Sequence, residues 1–219
     1  HSRTILGLRD IMDDAESVRR HWKKKNVYRN LDALYSEIWV YGIQDFYDPV
    51  REYAIPESIR QKMLFTGYIP RSKPSQRAAD RIRQELGVAP HEKLIVVTTG
   101  GGGDGFAVMD TYLTMLEERP LDSHIKSVLV TGPFMPQQER KGLFKRARKA
   151  KVQTFLFYRR MEKLMAAADL VISMGGYNTI SEVLCQKTPS LIVPRQSPRM
   201  EQLIRARVFH AQRLVDYIP

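Results

Sequence analysis

The sequence predicts an α/β fold: a Rossmann-like parallel sheet of about six strands with helices on both faces, preceded by the tail of a second α/β domain. Three observations support the sheet. From Leu94 onward, short apolar runs alternate with helix-like segments, which is typical of βαβ units. The runs are apolar throughout, as expected of parallel strands buried on both faces. Glycines follow two of the runs, where the chain turns into a helix.

The elements of this region follow from hydrophobic periodicity. Strands are expected at Leu94–Val97, Ser127–Val130, Thr154–Phe157, Leu170–Ile172, Leu191–Val193 and Leu214–Tyr217. Helices are expected at Phe106–Glu118, Gln137–Ala150, Met161–Ala168, Thr179–Gln186 and Met200–Gln212. Because such sheets bind ligands at the carboxyl ends of their strands, where the strand order reverses, the functional site is expected at that edge.

The chain is predicted to contain two segments and a connection. Residues 1–70 are expected to be the incomplete tail of another α/β domain, and residues 71–93 a linker and lead-in helix before the main domain at 94–219. The tail is predicted to contain strands at Thr4–Leu8 and Glu37–Tyr41, a charged helix from about Asp14 to Leu34, and an apolar segment at Lys62–Tyr68. Because two parallel strands do not form a stable sheet unaided, we interpret the chain as a piece of a longer protein.

Composition excludes several classes of protein. The single cysteine, Cys185, excludes an internal disulfide and a multi-cysteine metal site, and it fits a reducing cytosolic setting. No apolar run approaches the roughly 18 residues that span a bilayer. The N-terminal residues lack the pattern of a signal peptide, because charges begin at Arg3. A cytoplasmic location is therefore expected.

The net charge of +11 is concentrated at Arg19–Lys25 and Arg140–Lys151. The second segment reads as a helix with an apolar stripe and many exposed cations. Such a helix can lie peripherally on anionic lipid at the inner membrane face, or it can be the solvated outer helix of an α/β domain; both interpretations stay open. Because no nucleic-acid module accompanies these charges, nucleic-acid binding is not expected.

The stretch Thr98–Phe106 joins the first strand of this sheet to its helix and contains five glycines. Glycines at a strand-to-helix turn leave backbone N–H groups uncovered at a helix N-terminus, where the helix dipole also favours negative charge. A tight turn alone would need one or two glycines. The turn is therefore predicted to bind phosphate or diphosphate.

A second strand–glycine–helix junction follows the strand Leu170–Ile172, at Ser173–Asn178. Two helix N-termini of one sheet can act on a single anionic ligand. Glu182 follows Thr179 by three residues, which is the spacing of a capping box. Alternatively, a carboxylate one turn into a helix beside a phosphate site accepts hydrogen bonds from both hydroxyls of a ribose.

Two other nucleotide motifs fit the first turn poorly. Its glycines formally satisfy the dinucleotide pattern, but the next strand ends Val130-Thr131-Gly132-Pro133, without the acidic residue that this fingerprint needs. A P-loop needs Gly-Lys followed by Ser or Thr, and the chain has Asp104-Gly105-Phe106 instead. NAD binding and ATP hydrolysis are therefore disfavoured.

Together these features resemble the C-terminal, donor-binding half of glycosyltransferases with the GT-B fold, most closely those of family 28. The likeness runs from about Leu94 to Tyr217, and its most specific part is residues 168–183. Pro189–Pro194 follows at the family's spacing, and then Glu201-Gln202. The resemblance makes residues 94–219 a nucleotide-sugar-binding domain and residues 1–70 the end of the acceptor-side domain.

The resemblance also implies a set of donor-binding residues. The two glycine turns hold the diphosphate of a UDP-sugar, Glu182 takes the ribose hydroxyls, and backbone near Tyr158 reads the edge of the uracil. Gln202 and Glu201 contact sugar hydroxyls; many members have Gln-Gln there, which leaves the sugar open. The implied set is Gly101, Gly102, Gly103, Gly105, Tyr158, Gly175, Gly176, Asn178, Thr179, Glu182, Glu201 and Gln202.

The implied activity is hexosyl transfer from the UDP-sugar, with inversion, without a metal and without a further cofactor. No catalytic residue is assigned, because the family places its base in the N-terminal domain. We therefore expect the chain alone to bind donor and to transfer little or nothing. The acceptor stays open between lipid-linked and carbohydrate molecules. Two alternatives remain: a UDP-N-acetylglucosamine 2-epimerase or nucleotide-sugar hydrolase of the same fold, and a noncatalytic nucleotide-binding module.

Overall fold

The computed structural model describes residues 3–69 and 71–219, which form two compact units. The first unit contains the described residues up to Ile69 together with Arg195–Leu214, and the second runs from Arg71 to Pro194 and includes Val215–Pro219. The predicted segment 94–219 is thus divided between them. Residues 1, 2 and 70, on which the ends of the predicted first segment fall, lie outside the described residues.

The secondary structure of the described residues is as follows. The strands are β1 Ile5–Arg9, β2 Glu37–Tyr41, β3 Met63–Phe65, β4 Lys93–Thr98, β5 Ile125–Val130, β6 Gln153–Phe155, β7 Leu170–Ser173, β8 Ser190–Ile192 and β9 Asp216–Tyr217. The helices are α1 Ala15–Lys24, α2 Val27–Leu34, α3 Pro49–Glu52, α4 Glu57–Arg60, α5 Gln76–Glu85, α6 Phe106–Glu118, α7 Gln137–Lys149, α8 Met161–Ala167, α9 Tyr177–Gln186 and α10 Glu201–Ala211.

The first unit contains a parallel sheet in the order β1-β2-β3. Its central strand β2 alternates buried and more exposed side chains, and Ile38 and Val40 of that strand are fully buried. The core continues through Tyr53, which directly follows α3, and Ile59 of α4. β3 supplies the third strand that a pair of parallel strands needs for stability.

The predicted charged helix at 14–34 forms two helices instead of one. α1 ends at Lys24 and α2 begins at Val27, because Asn26 has φ 53° and ψ 32°. A right-handed helix does not continue through a residue in this left-handed conformation, which asparagine adopts more readily than most residues. Asp14 caps α1 by accepting a hydrogen bond from the Ser17 amide, as its position before the helix favours.

The second unit confirms the predicted sheet of six parallel strands flanked by helices. The strand order is β6-β5-β4-β7-β8-β9, so the chain builds outward from β4 on one side and from β7 on the other. Between β4 and β7 the order reverses, which marks the topological switch point of the sheet. Buried side chains of β4, α6, β5 and α7 form the core; they include Val97, Leu113, Leu129 and Leu143.

Candidate functional site

The two glycine turns start from neighbouring points of the sheet. Thr98 ends β4 and pairs with Ser173, which ends β7. Adjacent strands lie about 4.8 Å apart, so both turns leave the sheet side by side at its carboxyl edge. This is the point at which the strand order reverses, where open α/β sheets bind their ligands.

The first turn is packed tightly against the loop that follows β5. Gly102 has φ +88°, and a Cβ atom at this residue would lie 2.0 Å from the carbonyl oxygen of Thr131. At Gly105 a Cβ atom would lie 2.2 Å from Oγ1 of Thr99. No side chain fits at either position. Part of the glycine content of this turn therefore has a structural cause, independent of any ligand.

Two other glycines of the first turn are less constrained. A Cβ atom at Gly101 would contact the Phe134 ring at 3.0 Å, and one at Gly103 would make an ordinary contact of 3.9 Å. The Phe134 amide donates to the Gly101 carbonyl at 2.8 Å, while the Phe134 side chain is largely exposed. In the part of the chain that the structure describes, no acceptor is bonded to the amides of Gly101 and Gly103. Both amides are open to an anion.

Each turn leads into a helix that begins without a side-chain cap among the described residues. Gly105 is the N-cap of α6, and Gly176 is the N-cap of α9. The first N–H groups of a helix have no partner within it, and the helix dipole places partial positive charge there. A Cβ atom at Gly176 would meet nothing within 4 Å, so this side of the second turn is open.

The predicted capping box at Thr179 and Glu182 is wrong. α9 begins at Tyr177, two residues before the expected start, so Thr179 already belongs to the first helical turn and is not the N-cap. The cause is the conformation of the glycine pair, because Gly175 has φ +72° and redirects the chain into the helix directly after Gly176. Asn178 and Thr179 consequently contribute first-turn amides at the carboxyl edge of the sheet.

Glu182 lies in the second turn of α9, with a side chain that is 10% exposed. Burial raises the pKa of the Glu182 carboxyl above its ordinary value; the Arg71 guanidinium acts in the opposite direction, and the nearby Glu162 carboxylate raises the pKa further. Nε of Arg71 lies 3.5 Å from Oε1 of Glu182. Arg71 and Glu162 belong to no sequence motif, and their proximity to Glu182 depends on tertiary structure.

Glu201 and Gln202 begin α10, which belongs to the first unit. Nη2 of Arg195 lies 2.5 Å from Oε1 of Glu201, and the Arg195 amide donates to Oε1 of Gln202 at 3.1 Å. Both side chains are therefore held by one residue that the sequence analysis did not single out. The ion pair offsets the charge of Glu201.

Tyr158 lies in the loop between β6 and α8. Its ring packs edge-on against Phe155, with centroids 5.1 Å apart, and burial raises the pKa of the Tyr158 hydroxyl. The preceding Leu156 carbonyl accepts a hydrogen bond from the Gly132 amide at 2.9 Å, which ties this loop to the loop after β5. The backbone near Tyr158 thus lies at the same carboxyl edge as the glycine turns.

The described residues contain no group of three or more side chains that could hold a metal ion. Over the same residues, no helix combines the length and the apolar character needed to cross a membrane.

Comparisons with known proteins identify relatives of this arrangement. The family model for the glycosyltransferase family 28 C-terminal domain matches residues 94–218. A UDP-N-acetylglucosamine--N-acetylmuramyl-(pentapeptide) pyrophosphoryl-undecaprenol N-acetylglucosamine transferase from Moorella thermoacetica is 30% identical over 140 residues, which cover 62% of this chain and 37% of the relative. The chain thus spans little more than a third of the length of such curated relatives.

Solved structures share the fold at low sequence identity. The structure of MurG from Acinetobacter baumannii aligns with 93% of this chain and 64% of its own, with a TM-score of 0.56 and 15% identity. A UDP-glucosyltransferase from Polygonum tinctorium that is capable of glucosylating indoxyl, solved in complex with 3,4-dichloroaniline, aligns with 91% of this chain and 43% of its own, with a TM-score of 0.61 and 13% identity. At these identities the structures establish the fold alone.

Proposed function

Since the chain belongs to glycosyltransferase family 28, we propose that its two glycine turns hold the diphosphate of a UDP-sugar for hexosyl transfer. One observation carries this proposal: two helices with glycine N-caps begin from adjacent parallel strands, at the switch point of the sheet. Backbone amides and helix dipoles at such a point favour a bound phosphate. The name of the Moorella relative, a transferase that uses UDP-N-acetylglucosamine, supports a UDP-sugar as the ligand.

The backbone amides and helix N-termini of the two glycine turns would also assist the transfer reaction. When the glycosyl bond breaks, negative charge develops on the departing diphosphate. Amide donors that already point at this charge stabilise the transition state, and one well-placed donor of this kind contributes about 3 kcal/mol. The sequence contains no Asp-x-Asp motif for a metal. We therefore propose a metal-independent, inverting transfer in which the turns at Gly101–Gly105 and Gly175–Thr179 stabilise the leaving group.

The remaining donor contacts are proposals from the family resemblance. Glu182 would accept hydrogen bonds from the ribose, and its burial beside the second glycine turn supports this role. Backbone near Tyr158 would read the uracil edge. Glu201 and Gln202 would contact sugar hydroxyls; for these two residues the proposal rests on the resemblance alone.

Isothermal titration calorimetry of the 219-residue chain with UDP, UMP and inorganic phosphate tests the diphosphate site. We expect UDP to bind at least tenfold more tightly than UMP, because only UDP places a second phosphate at the uncapped helix N-termini. Equal affinities for UDP and UMP would contradict a diphosphate site and favour a simpler nucleotide-binding module.

A second assay separates transfer from the alternatives of the same fold. The chain is incubated with UDP-sugars in the absence of an acceptor, and the products are separated by chromatography. An epimerase would return a changed UDP-sugar, and a hydrolase would release free sugar. The proposed transferase should leave the donor unchanged, and we expect little or no transfer by this chain when acceptors are added.

The acceptor is proposed to be a lipid-linked or carbohydrate molecule, with peripheral contact to an anionic membrane on the cytoplasmic side. The Moorella relative is named for a pyrophosphoryl-undecaprenol acceptor. On α7 the exposed cations Arg148 and Lys149 stand three and four residues after Lys145, which itself stands four residues after Lys141, so the four form one stripe. Each cation near an anionic surface contributes about 1 kcal/mol.

Vesicle flotation tests the membrane contact. Vesicles that contain anionic lipid should carry the chain, whereas neutral vesicles should not, and replacement of the four exposed cations by glutamine should abolish binding. Arg146 is the matched control on the same helix, because it is paired with Asp110 and Glu117 of α6. Equal flotation with both vesicle types would contradict the membrane contact and would favour the interpretation of α7 as a solvated outer helix.

A further inference from the structure

A pair of carboxylates shares one guanidinium beside the second glycine turn. Glu162 stands in the first turn of α8, and Glu182 stands in the second turn of the neighbouring α9. Nη1 of Arg71 lies 3.5 Å from Oε2 of Glu162, and Nε of the same guanidinium lies 3.5 Å from Oε1 of Glu182. One cation thus sits between two acidic side chains from adjacent helices of the second unit.

Arg71 balances this charge without satisfying the acceptors. Contacts of 3.5 Å lie beyond the usual range of an N–H···O hydrogen bond, and the Arg71 side chain is 66% exposed. Oε2 of Glu162 is inaccessible to solvent and accepts no hydrogen bond from the described residues. A buried carboxylate oxygen without a donor costs free energy, so the site favours a ligand that brings one.

The chemistry of the pair defines what that ligand offers. An ionised carboxylate only accepts hydrogen bonds, so the complementary group is a donor. A phosphate would be repelled by two acidic side chains, whereas a hydroxyl donates without adding charge. Two acceptors on neighbouring helices suit two hydroxyls on neighbouring carbons. Ribose carries such a diol, and it lies next to the diphosphate in a nucleoside diphosphate.

We propose that Glu162 is a second ribose-binding residue, an inference that rests on the proposed function. Glu182 and Glu162 each accept a hydrogen bond from one of the two ribose hydroxyls, while Arg71 balances the charge of both carboxylates. The site then selects ribonucleotide donors over deoxyribonucleotide donors through two residues.

Calorimetry with UDP, 2′-deoxy-UDP and 3′-deoxy-UDP tests the assignment on the 219-residue chain. A hydrogen bond to a charged acceptor corresponds to a preference of about tenfold or more for UDP over each deoxy analogue. In Glu162→Met, which removes both acceptor oxygens at similar length, the preference over one analogue should fall to about twofold or less. Glu162→Gln keeps one acceptor oxygen and should therefore retain part of the preference for UDP over that analogue. Glu118→Met, at the exposed end of α6, is the matched control and should keep both preferences.

The outcomes separate this inference from the proposed function. If Glu162→Met weakens UDP and both analogues equally, Glu162 only supports the fold; the inference is then overturned while the diphosphate site stands. If wild-type chain does not bind UDP, the proposed function fails and the inference fails with it. Should circular dichroism show that Glu162→Met is unfolded, Glu162→Gln decides: an unchanged preference for UDP overturns the inference.

Discussion

The two glycine turns occupy equivalent places on adjacent strands, yet their glycines are required for different reasons. In the turn after β4, Gly102 has almost no space, because the backbone of the loop after β5 lies against its α-carbon. In the turn after β7, Gly175 faces one side-chain methyl group of Ile192, and the next residue, Gly176, faces open space. Backbone packing therefore excludes a side chain at Gly102, whereas the space at Gly176 is open.

This difference separates the structural need for glycine from the capacity to bind an anion. In the first turn, Gly102 and Gly105 are required by close packing, whereas Gly101 and Gly103 have amides that are open to a ligand. The second turn has fewer glycines, but its N-cap Gly176 faces open space and a buried carboxylate follows one turn further on. A count of glycines therefore does not measure the capacity of a turn to bind an anion.

The largest effect is expected from Gly102→Ala. The new Cβ atom would lie 2.0 Å from the Thr131 carbonyl oxygen, which is backbone and cannot rotate away, and φ +88° disfavours any side chain. Strain and overpacking together should lower the free energy of unfolding by about 4 kcal/mol. Urea denaturation followed by circular dichroism measures the change.

Gly100→Ala is the matched control for that substitution. Gly100 also has positive φ, at +66°, but a Cβ atom there would meet nothing within 4 Å. Only the conformational cost applies, so a loss of about 1 kcal/mol is expected. If both variants lose the same stability, backbone packing is not what distinguishes Gly102.

A smaller effect is expected in the second turn, from Gly175→Ala. Its Cβ atom would lie 2.7 Å from Cγ2 of Ile192, a buried side chain that must shift, and φ is +72°. The free energy of unfolding should fall by about 2 kcal/mol.

Gly176→Ala, with φ −59° and open space, should change the free energy of unfolding by about 0.5 kcal/mol, since alanine is the poorer N-cap. A loss in Gly176→Ala as large as in Gly175→Ala would refute the openness of this turn.

The same contrast explains what the sequence could predict. The bounds of α6 were predicted at both ends, because its apolar residues at three- and four-residue spacing and the glycines before it are local signals. The start of α9 was misplaced by two residues, because the sequence does not reveal that Gly175 adopts positive φ. Local patterns predicted the order of strands and helices along the chain, whereas the switch point between β4 and β7 required the strand order of the structure.

Contacts between distant residues lay beyond the reach of sequence patterns. Glu162 and Arg71 approach Glu182 only after α8 and α9 have packed, and they carry no motif of their own. Arg195 lies two residues after the predicted strand Leu191–Val193, but nothing in the sequence indicates that it holds both Glu201 and Gln202. Family resemblance supplied the positions of the acidic and amide residues, whereas the residues that hold them required the structure.

A third prediction tests whether the second turn serves a ligand. Glu182→Gln should weaken UDP binding by about tenfold, because a hydrogen bond to a charged acceptor is replaced by one to a neutral group. Calorimetry measures the affinity, and circular dichroism checks the fold. Glu118→Gln removes an exposed carboxylate from α6 and controls for the change in net charge. Equal affinities for wild type and Glu182→Gln would remove Glu182 from the ribose site.

The smallest effect concerns pH. Because burial raises the pKa of Glu182, folding favours its protonated form, and its ionisation at higher pH costs stability. The neutral carboxyl contributes fully to the free energy of unfolding at pH values below 4.5, the ordinary pKa of a glutamate. This contribution is lost as pH rises through the raised pKa of Glu182 in the folded state. Glu182→Gln should therefore become more stable relative to wild type as pH increases over this interval, although it binds UDP less well. Urea titrations at several pH values, referred to Glu118→Gln, measure the difference. The opposite result would be that Glu182→Gln becomes less stable relative to wild type as pH rises. Arg71 would then stabilise the ionised carboxylate by more than burial destabilises it. The carboxylate would in that case be held for the fold and not for a ligand.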